Sequence, residues 1–203
     1  MNPLLDNTTL FSLMRTLQNA RKIVIMGHRG PDGDALGAAL GWAEYLQGLG
    51  KSAIVVMPNP FPDFLRWLPN SEKVVFYDHK RDVARHLIEG TDLICMLDFN
   101  SLHRLQEMGD VVANSKAERL MIDHHLSPDT TCAQTIISHP EMSSTSELVF
   151  RLIYQLGGYE TMTTQGASAL YCGMMTDTGG FTYNSNNPEI YTIISKLLEK
   201  GID

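Results

Sequence analysis

Four short segments carry residue types that could hold metal ions and activate water. The first reads His28-Arg29-Gly30-Pro31-Asp32-Gly33-Asp34 and the second opens on Asp98. The third is Asp123-His124-His125 and the fourth is Asp177-Thr178-Gly179-Gly180. The first gathers an imidazole and two carboxylates around a turn that Gly30, Pro31 and Gly33 make tight. Two carboxylates this close repel each other and push one pKa upward, and a pair of divalent cations removes the conflict. A plainer reading has Asp34 capping a helix and Asp32 making a turn. The loop lacks the Gly-Lys-Ser/Thr of a P-loop and the spaced glycines of a dinucleotide fold, and its aspartates would repel bare phosphates. Asp98 alone reads equally as a ligand or a turn residue. In Asp123-His124-His125, neighbours on an extended chain point in opposite directions. One histidine can therefore ligate a metal while the other faces a substrate. Asp177 is expected at a helix C-terminus, where the partial negative charge suits a cation. Gly179 and Gly180 are the stop signal of that helix.

Something must bring these segments together, and hydrophobic patterning shows what. Near-continuous apolar runs predict strands over 22–27, 53–57, 92–97 and 119–122, with shorter ones over 74–77 and 135–137. Helices are predicted over 6–20, 33–49, 145–156, 164–175 and 189–199, and weaker helical patterns cover 61–68, 83–88 and 104–113. The first helix would bury a face made of Leu10, Leu13, Met14 and Leu17. Buried strands alternating with helices indicate an α/β fold with a mainly parallel sheet and helices on both faces. Such sheets bind ligands beyond the carboxyl ends of their strands. His28, Asp98 and Asp123 all fall at predicted strand ends, as that rule requires. Gly37 and Gly41 are expected to allow close packing of their helix on the sheet.

The chain has 203 residues, 43% hydrophobic and 19% charged, enough for one large domain with an ordinary core. Cys95, Cys132 and Cys172 lie far apart without Cys-x-x-Cys spacing, which speaks against a thiolate zinc site and a disulfide framework. Cys95 and Cys172 read as buried thiols. A net charge of −7 argues against a surface that wraps nucleic acid, yet permits a phosphate substrate if metal ions supply local positive charge. No apolar run approaches the ~18 residues of a membrane span and no leader-like segment opens the chain, so the cytoplasm is the expected location. Arg104, His103 and Arg29 are candidates for phosphate contact or for solvated surface charge. Ser144 and Glu147 are spaced as a capping box, and the same helix start is a candidate phosphate seat. His79, His86 and His139 read as surface residues, Trp42 and Trp67 as core or interface.

Taken in order, the four segments resemble the motifs of the DHH phosphoesterase family: His-x-x-x-Asp-x-Asp, a lone Asp after a strand, Asp-His-His, and a late Asp-x-Gly. The resemblance runs from about Arg21 to the end. It implies a DHH catalytic domain over 1–203, with a first metal held by His28, Asp32 and Asp98. A second would be held by Asp34, Asp98, His124 and Asp177, with Asp98 shared. His125 would face the substrate phosphate and Asp123 would orient a histidine; Arg104, His103 and Ser144, outside the motifs, are the candidate substrate contacts. This mixed ligand set favours two Mn²⁺ ions, with Mg²⁺ or Co²⁺ as alternatives. Members include RecJ-type single-strand exonucleases, nano-RNases that also act as pAp phosphatases, cyclic-dinucleotide phosphodiesterases and family II pyrophosphatases. Spacing and length are most similar to the nano-RNase and pAp phosphatase subgroup. That implies hydrolysis of short oligonucleotides or 3′-phosphoadenosine 5′-phosphate (pAp). A cyclic- or linear-dinucleotide phosphodiesterase, a RecJ-type exonuclease and a non-catalytic nucleotide-binding regulator remain as alternatives. Many members carry a C-terminal substrate-binding domain with a Gly-Gly-Gly-His-type motif. That motif does not occur here, and such a domain is expected beyond Asp203. A homodimer is also compatible with the resemblance.

Overall fold

Every apolar run becomes a strand that pairs with its neighbours in a single direction. The computed structural model describes residues 1–203. Its strands are β1 (Lys22–Met26), β2 (Ser52–Met57), β3 (Val75–Phe76), β4 (Leu93–Leu97), β5 (Glu118–Asp123) and β6 (Thr135–Ser138). They form one sheet in the order β3-β2-β1-β4-β5-β6, parallel throughout. The helices are α1 (Asn7–Asn19), α2 (Gly33–Gly48), α3 (Arg81–Glu89), α4 (Glu107–Asn114), α5 (Thr145–Gln155), α6 (Thr164–Asp177) and α7 (Pro188–Leu198).

Alternation along the strands divides the core. Ile23, Ile25, Val55, Cys95, Leu97, Leu120 and Ile122 enter a cluster of 39 buried residues shared with α1, α2, α5, α6 and α7. Val24, Met26, Val56, Ile94, Met96 and Met121 point the other way, into a cluster of 16 completed by α3 and α4. The sheet is thus covered on both faces, as its uninterrupted apolar strands require. Burying each of these large side chains is worth roughly 1.5–3 kcal/mol. No helix is long and apolar enough to cross a membrane.

Several expectations are corrected. Over 61–68 only a 3₁₀ turn, Asp63–Leu65, forms. Pro60, Pro62 and Pro69 each lack a backbone N–H, and they disfavour helical geometry in the residues before them. The pattern over 104–113 splits into a 3₁₀ turn, Leu102–Leu105, and α4, because Gln106 between them has φ 51°. Met14 is 49% exposed and leaves the apolar face of α1 to Leu13 and Leu17, with Leu10 partly buried beside them. Trp42 is fully buried, whereas Trp67 is exposed. All three cysteines are buried.

Gly37 and Gly41 serve a helix–helix seam, not a helix–sheet contact. A Cβ on Gly37 would meet the Ala169 carbonyl and come within 3.0 Å of Gly173 N on α6; one on Gly41 would lie 2.6 Å from Leu170 Cγ. Gly33 extends the seam by one more turn, against Thr176 at 2.6–2.8 Å. Three glycines four residues apart share one face of α2, and that face lets α6 come close enough to deliver Asp177.

Candidate metal centre

The chain builds outward from β1 through β2 to β3, then returns to lay down β4, β5 and β6 on the other side. The order of strand addition therefore reverses between β1 and β4, and a crevice opens there beyond the strand ends. His28 follows β1, Asp98 follows β4, and Asp123 closes β5 with His124 and His125 just after it. Asp32 and Asp34 begin α2, and Asp177 is the last residue of α6.

These side chains form three overlapping groups whose ligand atoms lie within 4.8 Å of one another: His28, Asp32 and Asp98; Asp34, His124 and Asp177; and Asp98, His124 and His125. Asp98 connects them. Its Oδ2 lies 3.4 Å from His28 Nε2, and its Oδ1 lies 3.6 Å from His124 Nε2. His28 Nε2 is also 3.8 Å from Asp32 Oδ2. His124 Nε2 is 3.4 Å from Asp177 Oδ2 and 3.9 Å from Asp34 Oδ2. The oxygens of one carboxylate thus face two histidines on opposite sides.

Each histidine is oriented through its other nitrogen. His28 Nδ1 lies 2.9 Å from the Arg29 carbonyl, and His124 Nδ1 lies 3.3 Å from the Met142 carbonyl. His125 Nδ1 lies 2.7 Å from Asp123 Oδ1. All three partners accept, so Nδ1 carries the proton, and the Nε2 atoms of His28 and His124 face the carboxylates of the crevice. Asp123, fully buried, fixes His125 twice, because its Oδ2 also accepts the His125 backbone N–H at 3.1 Å.

Asp32 has two roles. Its Oδ1 caps α2 by accepting the N–H groups of Asp34 and Ala35, each at 3.0 Å, and Oδ2 is left for the His28 side. The cap is Asp32, and Asp34 occupies the first turn. Both oxygens of Asp34 accept backbone N–H groups from the start of α5: Thr145 N at 2.7 Å and Ser146 N at 2.8 Å. The positive end of α5 is therefore taken up by a carboxylate of the site itself.

Charge is crowded here. Burial and the facing Asp34 carboxylate raise the Asp98 pKa well above the ordinary range. Burial raises Asp34 too, and burial together with Asp34 lifts Asp177 to about 6. For His28, burial opposes the charged form, but hydrogen bonds to Asp32 and Asp98 outweigh it and bring the pKa to about 10. Burial also acts to raise Asp32, where His28 and the capped N–H groups prevail and lower it. Carboxylates pushed upward by burial and by one another, beside an imidazole that favours its charged form, are a crowding that a bound divalent cation would relieve. The donors are imidazole nitrogens and carboxylate oxygens without a thiolate, a set that fits Mn²⁺, Mg²⁺ or Co²⁺.

The substrate candidates separate. Arg104 and His103 are exposed in the 3₁₀ turn after β4, and the Arg104 charge reaches His125, acting to lower its pKa. Arg29 is paired with Asp78 at 3.0 Å. Ser144 is fully buried, and its Oγ caps α5 by accepting from Glu147 N at 3.0 Å. With Asp34 on the neighbouring N–H groups, this helix start has no free donor for a phosphate. Glu147 reaches back one residue beyond the usual capping-box partner, to the N–H and Oγ of Ser143 at 2.8 and 2.6 Å. His79 and His86 are exposed and His139 is half-buried. Sequence reasoning missed Thr145, whose Oγ1 donates to Asp98 Oδ1 at 2.9 Å. Its place in a polar run before an apolar helix was the only signal.

Comparison with known proteins adds to this geometry. Residues 22–174 match the model of the DHH family, N-terminal domain. The chain is 31% identical over 180 residues to the bifunctional oligoribonuclease and PAP phosphatase NrnA of Thermus thermophilus, covering 89% of this chain and 50% of that protein. It is 28% identical over 200 residues to the cyclic-di-AMP phosphodiesterase GdpP of Geobacillus thermodenitrificans, covering 95% of this chain and 30% of that protein. Among solved structures, an exopolyphosphatase-related protein from Bacteroides fragilis superposes with a TM-score of 0.98 at 50% identity, over 100% of this chain and 59% of that one. Exonuclease RecJ bound to manganese shares the fold, with a TM-score of 0.58 at 16% identity over 98% of this chain and 49% of that one. The chain spans about half the length of the first of these relatives and less of the second.

Proposed function

The chain belongs to the DHH family of phosphoesterases, and from that premise we propose that it hydrolyses phosphate esters of short oligonucleotides or of pAp with two Mn²⁺ ions. His28, Asp32 and Asp98 would hold one ion; Asp34, Asp98, His124 and Asp177 would hold the other. The observation that carries this reading is Asp98, with Oδ2 toward His28 and Oδ1 toward His124. When bound, such ions acidify water and neutralise charge on phosphoryl oxygens.

The protein's own groups do the rest. Asp123 keeps the proton on His125 Nδ1 and so leaves Nε2 as the ring nitrogen available to substrate. The hydrogen bond to Asp123 raises the His125 pKa, which favours the charged ring, with a proton on Nε2 as well. That group donates to a phosphoryl oxygen or to the departing oxygen. Arg104 supplies a second positive charge near the same opening. Residues that choose the substrate come in part from a C-terminal domain of the same protein. The similarity to NrnA supports the short-oligonucleotide and pAp reading, and the similarity to GdpP over 95% of this chain favours a second one, a cyclic dinucleotide.

The test is to offer full-length protein, with Mn²⁺, each of pAp, a linear dinucleotide, a cyclic dinucleotide, 5′-phosphorylated single-stranded DNA and pyrophosphate. Fastest turnover of pAp and the linear dinucleotide is expected, with loss on chelation. No cleavage of any of them, together with an unchanged metal content in Asp98→Ala, would refute the proposal.

A further inference from the structure

We infer that Thr145 is a positioning residue that sets the orientation of the shared carboxylate Asp98, and that a Glu147–Arg151–Glu189 strut holds it in place. The inference rests on the metal reading above. Asp98 has φ 65°, a conformation uncommon outside glycine that persists only where surrounding contacts enforce it. On the Oδ1 side that contact is the Thr145 hydroxyl, at 2.9 Å. A carboxylate oxygen has two lone-pair directions. With the hydroxyl on one, the other is left facing the His124 side. Without the hydroxyl Oδ1 loses its hydrogen bond and keeps only the more distant His124 Nε2 and His125 Nδ1, at 3.6 and 3.9 Å, to limit rotation of the carboxylate about its Cβ–Cγ bond.

The same residue also fixes Asp34, through its backbone N–H at 2.7 Å. One fully buried threonine therefore relates two acidic groups that come from opposite sides of the crevice. The turn that carries it is braced from behind. Glu147 Oε2 accepts from Ser143, and Glu147 Oε1 accepts from Arg151 Nε and Nη2 at 2.9 and 2.7 Å. Arg151 then reaches Glu189 Oε2 on α7 through Nη1 at 2.6 Å. The Glu147 and Arg151 side chains are 1% and 4% exposed, so solvent does little to screen the link. A structural role alone would call for a residue that fills space at the start of α5, which valine does as well as threonine. The hydroxyl aimed at Asp98 is what valine lacks.

The experiment is Mn²⁺ titration of metal-free full-length protein by calorimetry, with thermal unfolding of the same metal-free samples. T145V is expected to bind Mn²⁺ ~10–100-fold more weakly, the usual effect of removing a hydrogen bond that orients a metal ligand. T145S, which keeps the hydroxyl, is expected to restore most of the affinity. If T145V does not fold, T145A makes the same comparison with less bulk. Wild-type binding with an unaffected T145V overturns this inference alone. So does a pattern in which T145V and T145S lose affinity equally and in step with their unfolding temperatures. A wild type that binds no Mn²⁺ overturns the metal reading and this inference with it.

Discussion

Replacing Gly173 with alanine should damage the metal centre from a position that no ligand occupies. Gly173 lies on α6 where that helix crosses the start of α5. A Cβ there would collide with Ser146 Oγ, lie 2.7 Å from Ser146 Cβ and stand 2.9 Å from Asp34 Oδ1. The hydroxyl can rotate away, but the Ser146 Cβ moves only with its backbone. Restoring an ordinary carbon–carbon separation of about 3.5 Å requires α5 to withdraw by ~0.8 Å. The N–H groups of Thr145 and Ser146 now lie 2.7 and 2.8 Å from Asp34. Such a withdrawal takes both to the edge of hydrogen-bonding range. Overpacking of this kind costs about 1–3 kcal/mol, which at about 2–4 °C per kcal/mol for a domain of this size is a fall in Tm of roughly 2–12 °C. Loss of the Asp34 anchor should also weaken Mn²⁺ binding by about tenfold or more. The control is Gly48→Ala. A Cβ there meets nothing within 4 Å, and less freedom in the unfolded chain should stabilise by about 0.4–1 kcal/mol. Thermal melts of the metal-free proteins and Mn²⁺ calorimetry read both effects. A G173A protein with the Tm and Mn²⁺ affinity of wild type would refute the packing account of the site.

Asp98→Asn should separate stability from function. Asparagine tolerates φ 65° at least as well as aspartate, so the metal-free Tm should hold or rise. Its amide nitrogen only donates, so one side of the bridge loses its ligand oxygen; metal analysis finding two ions per chain in D98N would count decisively against a shared carboxylate. Stability of metal-free protein should fall as pH rises. Asp177 goes from 3.8 to about 6 on folding, so between those values the folded chain keeps a proton that the unfolded chain has lost. His28, raised from 6.5 to about 10, contributes stability that is complete below the first value and lost as pH climbs through the second. Chelated protein should therefore melt lower at pH 8 than at about pH 5, and saturating Mn²⁺ should reverse the slope because its ligands must shed protons to bind; a flat metal-free profile would contradict this. Arg151→Met leaves Glu147 buried without its partner, at a cost of ~3–5 kcal/mol and about 6–20 °C in Tm. E147Q/R151M should recover part of that loss, and an R151M melt within about 2 °C of wild type would sink the strut.

How much of this could be read from residues alone depended on the range of the interaction. Periodicity is local, so the strands and the long helices were legible, and with them the rule that placed His28, Asp98 and Asp123 at strand ends. The same periodicity misled over 61–68, where three prolines outweigh a helical pattern. It could not see that Gln106 would break 104–113. The ligand set was legible because the motif residues lie in four short segments. Their mutual geometry was not. Nothing near Thr145 in the chain announces Asp34, which lies 111 residues away. Nothing in Gly37 and Gly41 says whether a sheet or a helix approaches them. Ser144 illustrates the same limit: its spacing to Glu147 suits capping and phosphate binding alike. Only the tertiary position of Asp34, on the neighbouring N–H groups, tells them apart.

One consequence of where the ligands originate concerns the unfolded chain. They come from loops after three different strands, from the first turn of α2 and from the end of α6. Occupied, the site would act as a reversible cross-link joining the early, middle and late parts of the chain. The unfolded chain does not assemble such a site, so bound ions would stabilise the folded state alone. Opening the crevice edge would then require the ions to leave first. Resistance to proteolysis, followed with and without a chelator, would report occupancy of the site even in a variant that has lost all turnover.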